Sequence, residues 1–180
     1  MITAGRIFKG IWIGVSAILG FTLGIVIGWI YVGIIILSNH FKKRIKLSTS
    51  LRRTLKDYYP SIDPDKVRII SSANGILYGK TGLTQGNEIF FKCTFSENNI
   101  DNLKLLLHEL VHVKQYTKYG MWKFYILYAY GYIKKMFSYR NIPMEVEAFD
   151  YTDSIFEKFL AEFDATGTTE EDSDKKERRD

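Results

Sequence analysis

Residues 108–112 read His108-Glu109-Leu110-Val111-His112, in a run whose apolar residues recur at helical spacing. The two histidines are four positions apart, so on a helix both imidazoles project from one face, one turn apart. That spacing lets them share a tetrahedral zinc ion, with Glu109 beside the metal to handle a proton. The chemistry this predicts is metal-assisted hydrolysis, most often of a peptide bond. Zinc lowers the pKa of its water to about 7, Glu109 takes the proton and returns it to the leaving amine, and the metal polarises the carbonyl.

A catalytic zinc takes three protein ligands and leaves a fourth position open. His108 and His112 supply two, and the chain has three histidines in all. The third, His40, lies beside a long apolar run, so carboxylates are the better source of the remaining ligand. Glu145 and Glu147 stand 33 and 35 residues past His112, and either reaches the metal if the intervening chain folds back. Tyr132, Tyr139 and Arg140 are candidate donors to the oxyanion that develops during attack.

The elements that must position these groups follow from pattern. Ser48 to Tyr59 reads as a short basic helix ended by Pro60. Val67 to Ser71, Ile76 to Leu83 and Glu88 to Thr94 read as strands, with Asn74-Gly75 as a hairpin signal and Gly86-Asn87 as another turn. An antiparallel sheet over roughly 66–94 is therefore expected, with the third strand as an edge able to pair with an extended peptide. Asn98 to Asp101 offers helix caps, and the motif helix should stop near Gly120. Met121 to Tyr139 is a second, unusually aromatic helix, read either as packed in the domain or as lying at a lipid interface. Pro143 suits the first turn of a third. From residue 164 onward the charged, polar composition predicts a disordered tail.

The chain of 180 residues is long enough for one domain. Gly10 to Leu37 spans 28 residues without a charge, more than the roughly 20 that a membrane helix needs. It predicts an uncleaved membrane anchor, too long for the apolar core of a signal peptide. Glycines at positions 10, 14, 20, 24 and 28 permit close helix approach and hence self-association. Lys42, Lys43, Arg44, Lys46, Arg52 and Arg53 follow the run, against Arg6 and Lys9 before it, so the catalytic domain is expected in the cytoplasm. The same cluster can lie against an anionic bilayer and accounts for much of the net charge of +5, so nucleic-acid binding is not expected. The single cysteine, Cys93, excludes an intramolecular disulfide and reads as a buried thiol.

The stretch from His108 through Tyr116 resembles the HELxHVxQ signature of zinc metallopeptidase-like bacterial proteins, and Asn141 to Ala148 is similar to their N-P-x-E-x-E-A segment. Both fit the wider gluzincin pattern, and the E-x-x-A form is also similar to the membrane-bound CAAX prenyl proteases. The resemblance covers about residues 80–150. It implies that Glu145 is the third zinc ligand, and that Glu147 holds a ligand in place. There are two departures: the relatives' aspartate after E-x-x-A is Phe149 here, and Ile142 separates the asparagine from the proline.

Together these readings predict an α+β chain with an N-terminal transmembrane helix, then a small antiparallel sheet packed on the HExxH helix and two further helices. Residues 1–46 would be the membrane anchor and basic flank, 47–163 a zincin-like metallopeptidase domain, and 164–180 the tail. The expected function is a single-pass membrane zinc metallopeptidase, with Glu109 as general base, His108, His112 and Glu145 as ligands, and a peptide or protein substrate near the membrane. The rival is a catalytically silent zinc-binding membrane protein that acts as an interaction module.

Overall fold

The computed structural model describes residues 22, 26–76, 80–135 and 138–177, with side chains through residue 164. Helix α1 covers residues 26–38. It is followed by β1 (Arg44–Ile45), α2 (Thr49–Tyr58), β2 (Arg68–Ile70), β3 (Gly82–Gln85), β4 (Glu88–Phe91), α3 (Ile100–Lys134) and α4 (Pro143–Glu177). The fold is α+β, and its four strands form one sheet in the order β1-β2-β4-β3.

That sheet is mixed, not antiparallel: β2 runs parallel to β4, with Ile69 opposite Ile89 and Ile70 opposite Phe90. The tight turn falls at Gly86-Asn87, between β3 and β4. Asn74-Gly75 does not close a hairpin. Its backbone is held by the Asn39 side chain, which accepts from Asn74 N at 2.8 Å and donates to Asn74 O at 3.0 Å. The chain therefore crosses over after β2, and β4 returns beside it in the same direction. The second expected strand, 76–83, is displaced to Gly82–Gln85; residues 77–79 lie outside those described. The expected edge strand is also corrected, since β4 is flanked on both sides and β3 is the edge.

The alternation of side chains explains the layers. Ile69, Ile89 and Phe91 face Leu51, Leu55, Leu106, Leu107, Val111 and Phe159 of α2, α3 and α4. Ile70 and Phe90 face the other way, onto Ile35 of α1 with Ala73 and Ile76. Each fully buried Leu, Ile or Phe contributes roughly 1.5–3 kcal/mol of transfer free energy, so the sheet is held from both faces.

This packing bears on the apolar run. Among the described residues no helix is long and apolar enough to cross a membrane. The membrane-spanning anchor and the single-pass localisation expected from residues 10–37 are therefore corrected. Part of the run has another use: Val32 and Ile35 are buried, and Ile35 packs on the sheet. The basic flank likewise contributes to the sheet, as Arg44 in β1 pairs with Glu88 at 2.6 Å. Gly10, Gly14, Gly20 and Gly24 lie outside the described residues.

α3 contains the expected break. Gly120 has φ 72° and ψ 165°, which interrupts the helix between the motif-bearing part and the aromatic part. Positive φ is accessible to glycine at little cost. α4 continues to Glu177, into the stretch expected to be disordered. A helix satisfies its backbone hydrogen bonds internally and can extend without burying apolar surface. Cys93 is exposed, past the end of β4, and not buried as expected.

Candidate metal centre

The motif sits in the first part of α3, which begins at Ile100 and is capped by Asn99, whose side chain accepts from Asn102 N at 2.9 Å. Leu103, Leu106, Leu107, Leu110 and Val111 face the core. That register leaves His108 and His112 together at the core's margin, ring centroids 5.1 Å apart and nearly perpendicular. The break at Gly120 turns the aromatic part of α3, and Pro143 starts α4 with Glu145 in its first turn.

These three elements converge. His108 Nε2 lies 3.2 Å and His112 Nε2 3.5 Å from Glu145 Oε2. His108, His112 and Glu145 are all buried, and one ligand atom from each lies within 4.8 Å of the others. The three residues can hold a metal ion. His40 is exposed against Phe41 and takes no part in the cluster.

Each of the three residues is held by a neighbour. Gln115 Oε1 stands 2.9 Å from His112 Nδ1, while Gln115 Nε2 donates to Met144 O at 3.0 Å and to Glu147 Oε2 at 3.1 Å. Both of those partners are acceptors, so the amide's oxygen must face the histidine. Gln115 thus holds a proton on His112 Nδ1, so that Nε2, which faces Glu145, is the nitrogen that would ligate a metal once it is deprotonated. Glu147 thus acts one residue removed from the histidine. Tyr128 donates to Glu145 Oε1 at 2.6 Å. His108 is packed against the ring of Phe149, centroids 4.6 Å apart, where the relatives carry an aspartate.

The electrostatics suit a cation. Burial alone would raise the Glu145 pKa, but hydrogen bonds from His108 and His112, the charge of His112 and the Tyr128 hydroxyl outweigh it. The carboxyl is held well below the ordinary range. Burial alone would lower His112, yet hydrogen bonding to Glu145 and the charges of Glu109 and Glu145 lift it above its usual value. A buried carboxylate with two imidazoles turned toward it is a donor set that fits zinc.

Glu109 points from the same helix toward β3. Thr84 donates to its Oε2 at 2.7 Å. A Cβ placed on Gly82 would stand 2.5 Å from Glu109 Oε1, so the carboxylate rests directly on the glycine. Lys80 lies beside them, its ammonium 3.8 Å from the centre of the Tyr139 ring. Burial depresses the Lys80 pKa, and the nearby charges of Glu145 and Glu109 only partly offset this.

Two cavities flank the cluster. One, of about 500 Å³, is lined by Glu109, His112 and Glu145 together with tyrosines and Phe124. The other, of about 370 Å³, is lined by His108, Asp101, Lys104, Arg140 and Asp153. Lys80, Gly82, Glu109 and Tyr139 line both. Of the expected oxyanion donors, Tyr139 thus borders both cavities and Tyr132 only the first. Arg140 borders the second, over the Phe149 ring at 5.3 Å.

Sequence reasoning assigned no role to Lys80, Gly82, Thr84, Gln115 or Tyr128. For Gln115 a signal existed, since it is the glutamine of the HELxHVxQ stretch. Lys80, Gly82 and Thr84 reach the site only through the register of an edge strand that no local pattern fixes.

Residues 47–120 match the family model of the eCIS core domain. No curated protein and no solved structure matches the chain. The matched stretch contains α2, the sheet from β2 to β4 and α3 as far as its break, and with them His108, Glu109, His112 and Gln115. Glu145, Tyr128 and α1 lie outside it.

Proposed function

We propose that this protein is a zinc-dependent peptidase, with His108, His112 and Glu145 as metal ligands and Glu109 as general base. One observation carries the reading: Glu109 shares the wall of a single cavity with two members of the buried three-ligand cluster, His112 and Glu145. The resemblance of the motif pair to zinc metallopeptidases supports the same assignment.

Bound by these residues, zinc would supply Lewis acidity and water activation near neutral pH. The chain's own groups do the rest. Glu109, held by Thr84 and backed by Gly82, accepts a proton from water at its carboxylate and passes it to the departing amine. Lys80 and Tyr139, common to both cavities, supply donors for the charge that develops on the scissile carbonyl oxygen. Among the described residues β3 ends the sheet, and that edge is where an extended peptide would add.

The test uses zinc-loaded protein and a degenerate peptide pool analysed by mass spectrometry. Wild type should cleave the pool, and Glu109→Gln should keep its zinc and lose cleavage by about 10²-fold or more. Zinc-loaded wild type that leaves the pool intact contradicts the peptidase reading and favours a silent zinc-binding interaction module.

A further inference from the structure

We infer that the larger cavity is a selectivity subsite for one bulky, uncharged side chain, aromatic or large aliphatic, next to the bond that is cut. The inference rests on the zinc-peptidase reading and adds a substrate class to it. At about 500 Å³ the cavity is of the size that binds compact ligands, and it opens directly onto Glu109 and His112.

Its chemistry is one-sided. Tyr116 and Tyr125 both direct their hydroxyls to Gln85 Oε1, and Tyr128 directs its own to Glu145. Their polar ends are thus spent on partners, and what remains for a guest is ring surface. Phe124 stacks on Tyr116 with centroids 3.9 Å apart, which extends that surface. Among the described lining residues the charged side chains are Lys80, Glu109 and Glu145, the last two at the metal cluster. A carboxylate or ammonium placed against these rings would lose hydration without gaining a partner. An aromatic ring meets faces and edges it can pack against.

The walls also show where the selectivity is encoded. Gly28, Tyr31 and Val32 come from α1, and Phe124, Tyr125, Tyr128 and Ala129 from the aromatic part of α3. All seven lie outside residues 47–120, the stretch that matches the eCIS core model. The matched core supplies Glu109 and His112 and, from the wall, Leu83 and Tyr116, while the flanking segments supply the rest of the apolar surface. Gly28 is the convenient probe, because a Cβ there meets nothing within 4 Å and a larger side chain can enter the cavity.

The test measures binding, not turnover, on the full zinc-loaded chain. The hydroxamates of N-acetyl-phenylalanine, N-acetyl-glycine and N-acetyl-aspartate are titrated by calorimetry. The phenylalanine compound should bind at least about 30-fold tighter than the glycine compound, and the aspartate compound no tighter than glycine. Gly28→Phe should erase the phenylalanine advantage while zinc per chain stays at the wild-type level. Equal binding of the phenylalanine and glycine compounds overturns the inference, as does zinc-loaded protein that binds none of the three. Wild-type protein that takes up no zinc is a separate result, and it overturns the zinc-peptidase reading itself.

Discussion

Gly82 is the backstop of Glu109: a Cβ at position 82 would stand 2.5 Å from Glu109 Oε1 and 3.1 Å from its Cδ. The contact is with the far end of a side chain that can move, so the fold tolerates a methyl group there while the carboxylate does not keep its place. Gly82→Ala should retain zinc and change unfolding free energy by less than about 1 kcal/mol. Peptide hydrolysis should fall about 10²-fold, because a displacement near 1 Å is enough for that loss. Parallel measurement of zinc content, thermal unfolding and pool cleavage checks this. Undiminished cleavage would mean that Glu109 is not positioned by this contact.

The chain Glu147–Gln115–His112 makes a graded prediction. Gln115→Ala removes the partner of His112 Nδ1 and should weaken zinc binding by about 10–100-fold. Glu147→Ala leaves Gln115 its bond to Met144 O and should cost less than Gln115→Ala. Competition against a zinc chelator of known affinity gives both values. Equal losses, or a larger loss in the glutamate variant, would contradict the order.

Much of this was legible before the structure because it is local. The histidine spacing, the Asn99 cap, the break at Gly120 and the start of a helix at Pro143 are each set by a few neighbouring residues. The sheet was not legible in the same way. The parallel pairing of β2 with β4 joins Ile69 to Ile89 across an intervening crossover, and no period in the sequence reports it. Asn74-Gly75 has the residues of a hairpin, but Ala73, which would close it, donates its N–H to Phe91 O at 2.7 Å instead, and the Asn39 side chain holds Asn74. The apolar run was misleading for a physical reason. Hydropathy reads the same whether Ile35 faces lipid or the buried face of a sheet, and here it packs beside Ile70 and Phe90. In the site, Lys80 and Thr84 depend on strand register, and Tyr128 on the angle set at Gly120.

Gly120 carries that angle by backbone conformation alone, since a Cβ there meets nothing within 4 Å. Gly120→Ala should destabilise the protein by about 1–3 kcal/mol, because φ 72° with ψ 165° is a backbone region essentially confined to glycine. Gly120→Asn should cost about as much, because at ψ 165° the backbone lies outside the left-handed helical region that asparagine favours. Chemical denaturation of the two variants checks both losses, and an alanine variant as stable as wild type would show that the break is not fixed at residue 120.

Metal-free protein should have a distinct pH profile. His112 is raised in the folded state above its ordinary 6.5, so the stability it adds is full below that pH and is lost as pH rises through the folded value. Glu145 is depressed below its ordinary 4.5, so its contribution is present above that pH and lost as pH falls through its folded value. The pair therefore stabilises most between 4.5 and 6.5. Zinc requires neutral histidine, so its addition should move the optimum upward. Thermal unfolding from pH 4 to about 8, in chelator and in zinc, reads this, with His112→Ala as the reference that removes the pair. In chelator, a wild-type advantage over that variant that grows above pH 6.5 would contradict the assignment.

The most direct measurement is zinc content per chain by elemental analysis, in wild type and in His112→Ala, Glu145→Ala and Glu147→Ala. About one zinc in wild type and in Glu147→Ala, and none in the other two, is the predicted result, following from a catalytic site of three protein ligands. A folded wild type without zinc, or a Glu145→Ala protein that keeps it, would contradict the three-ligand centre on which the function rests.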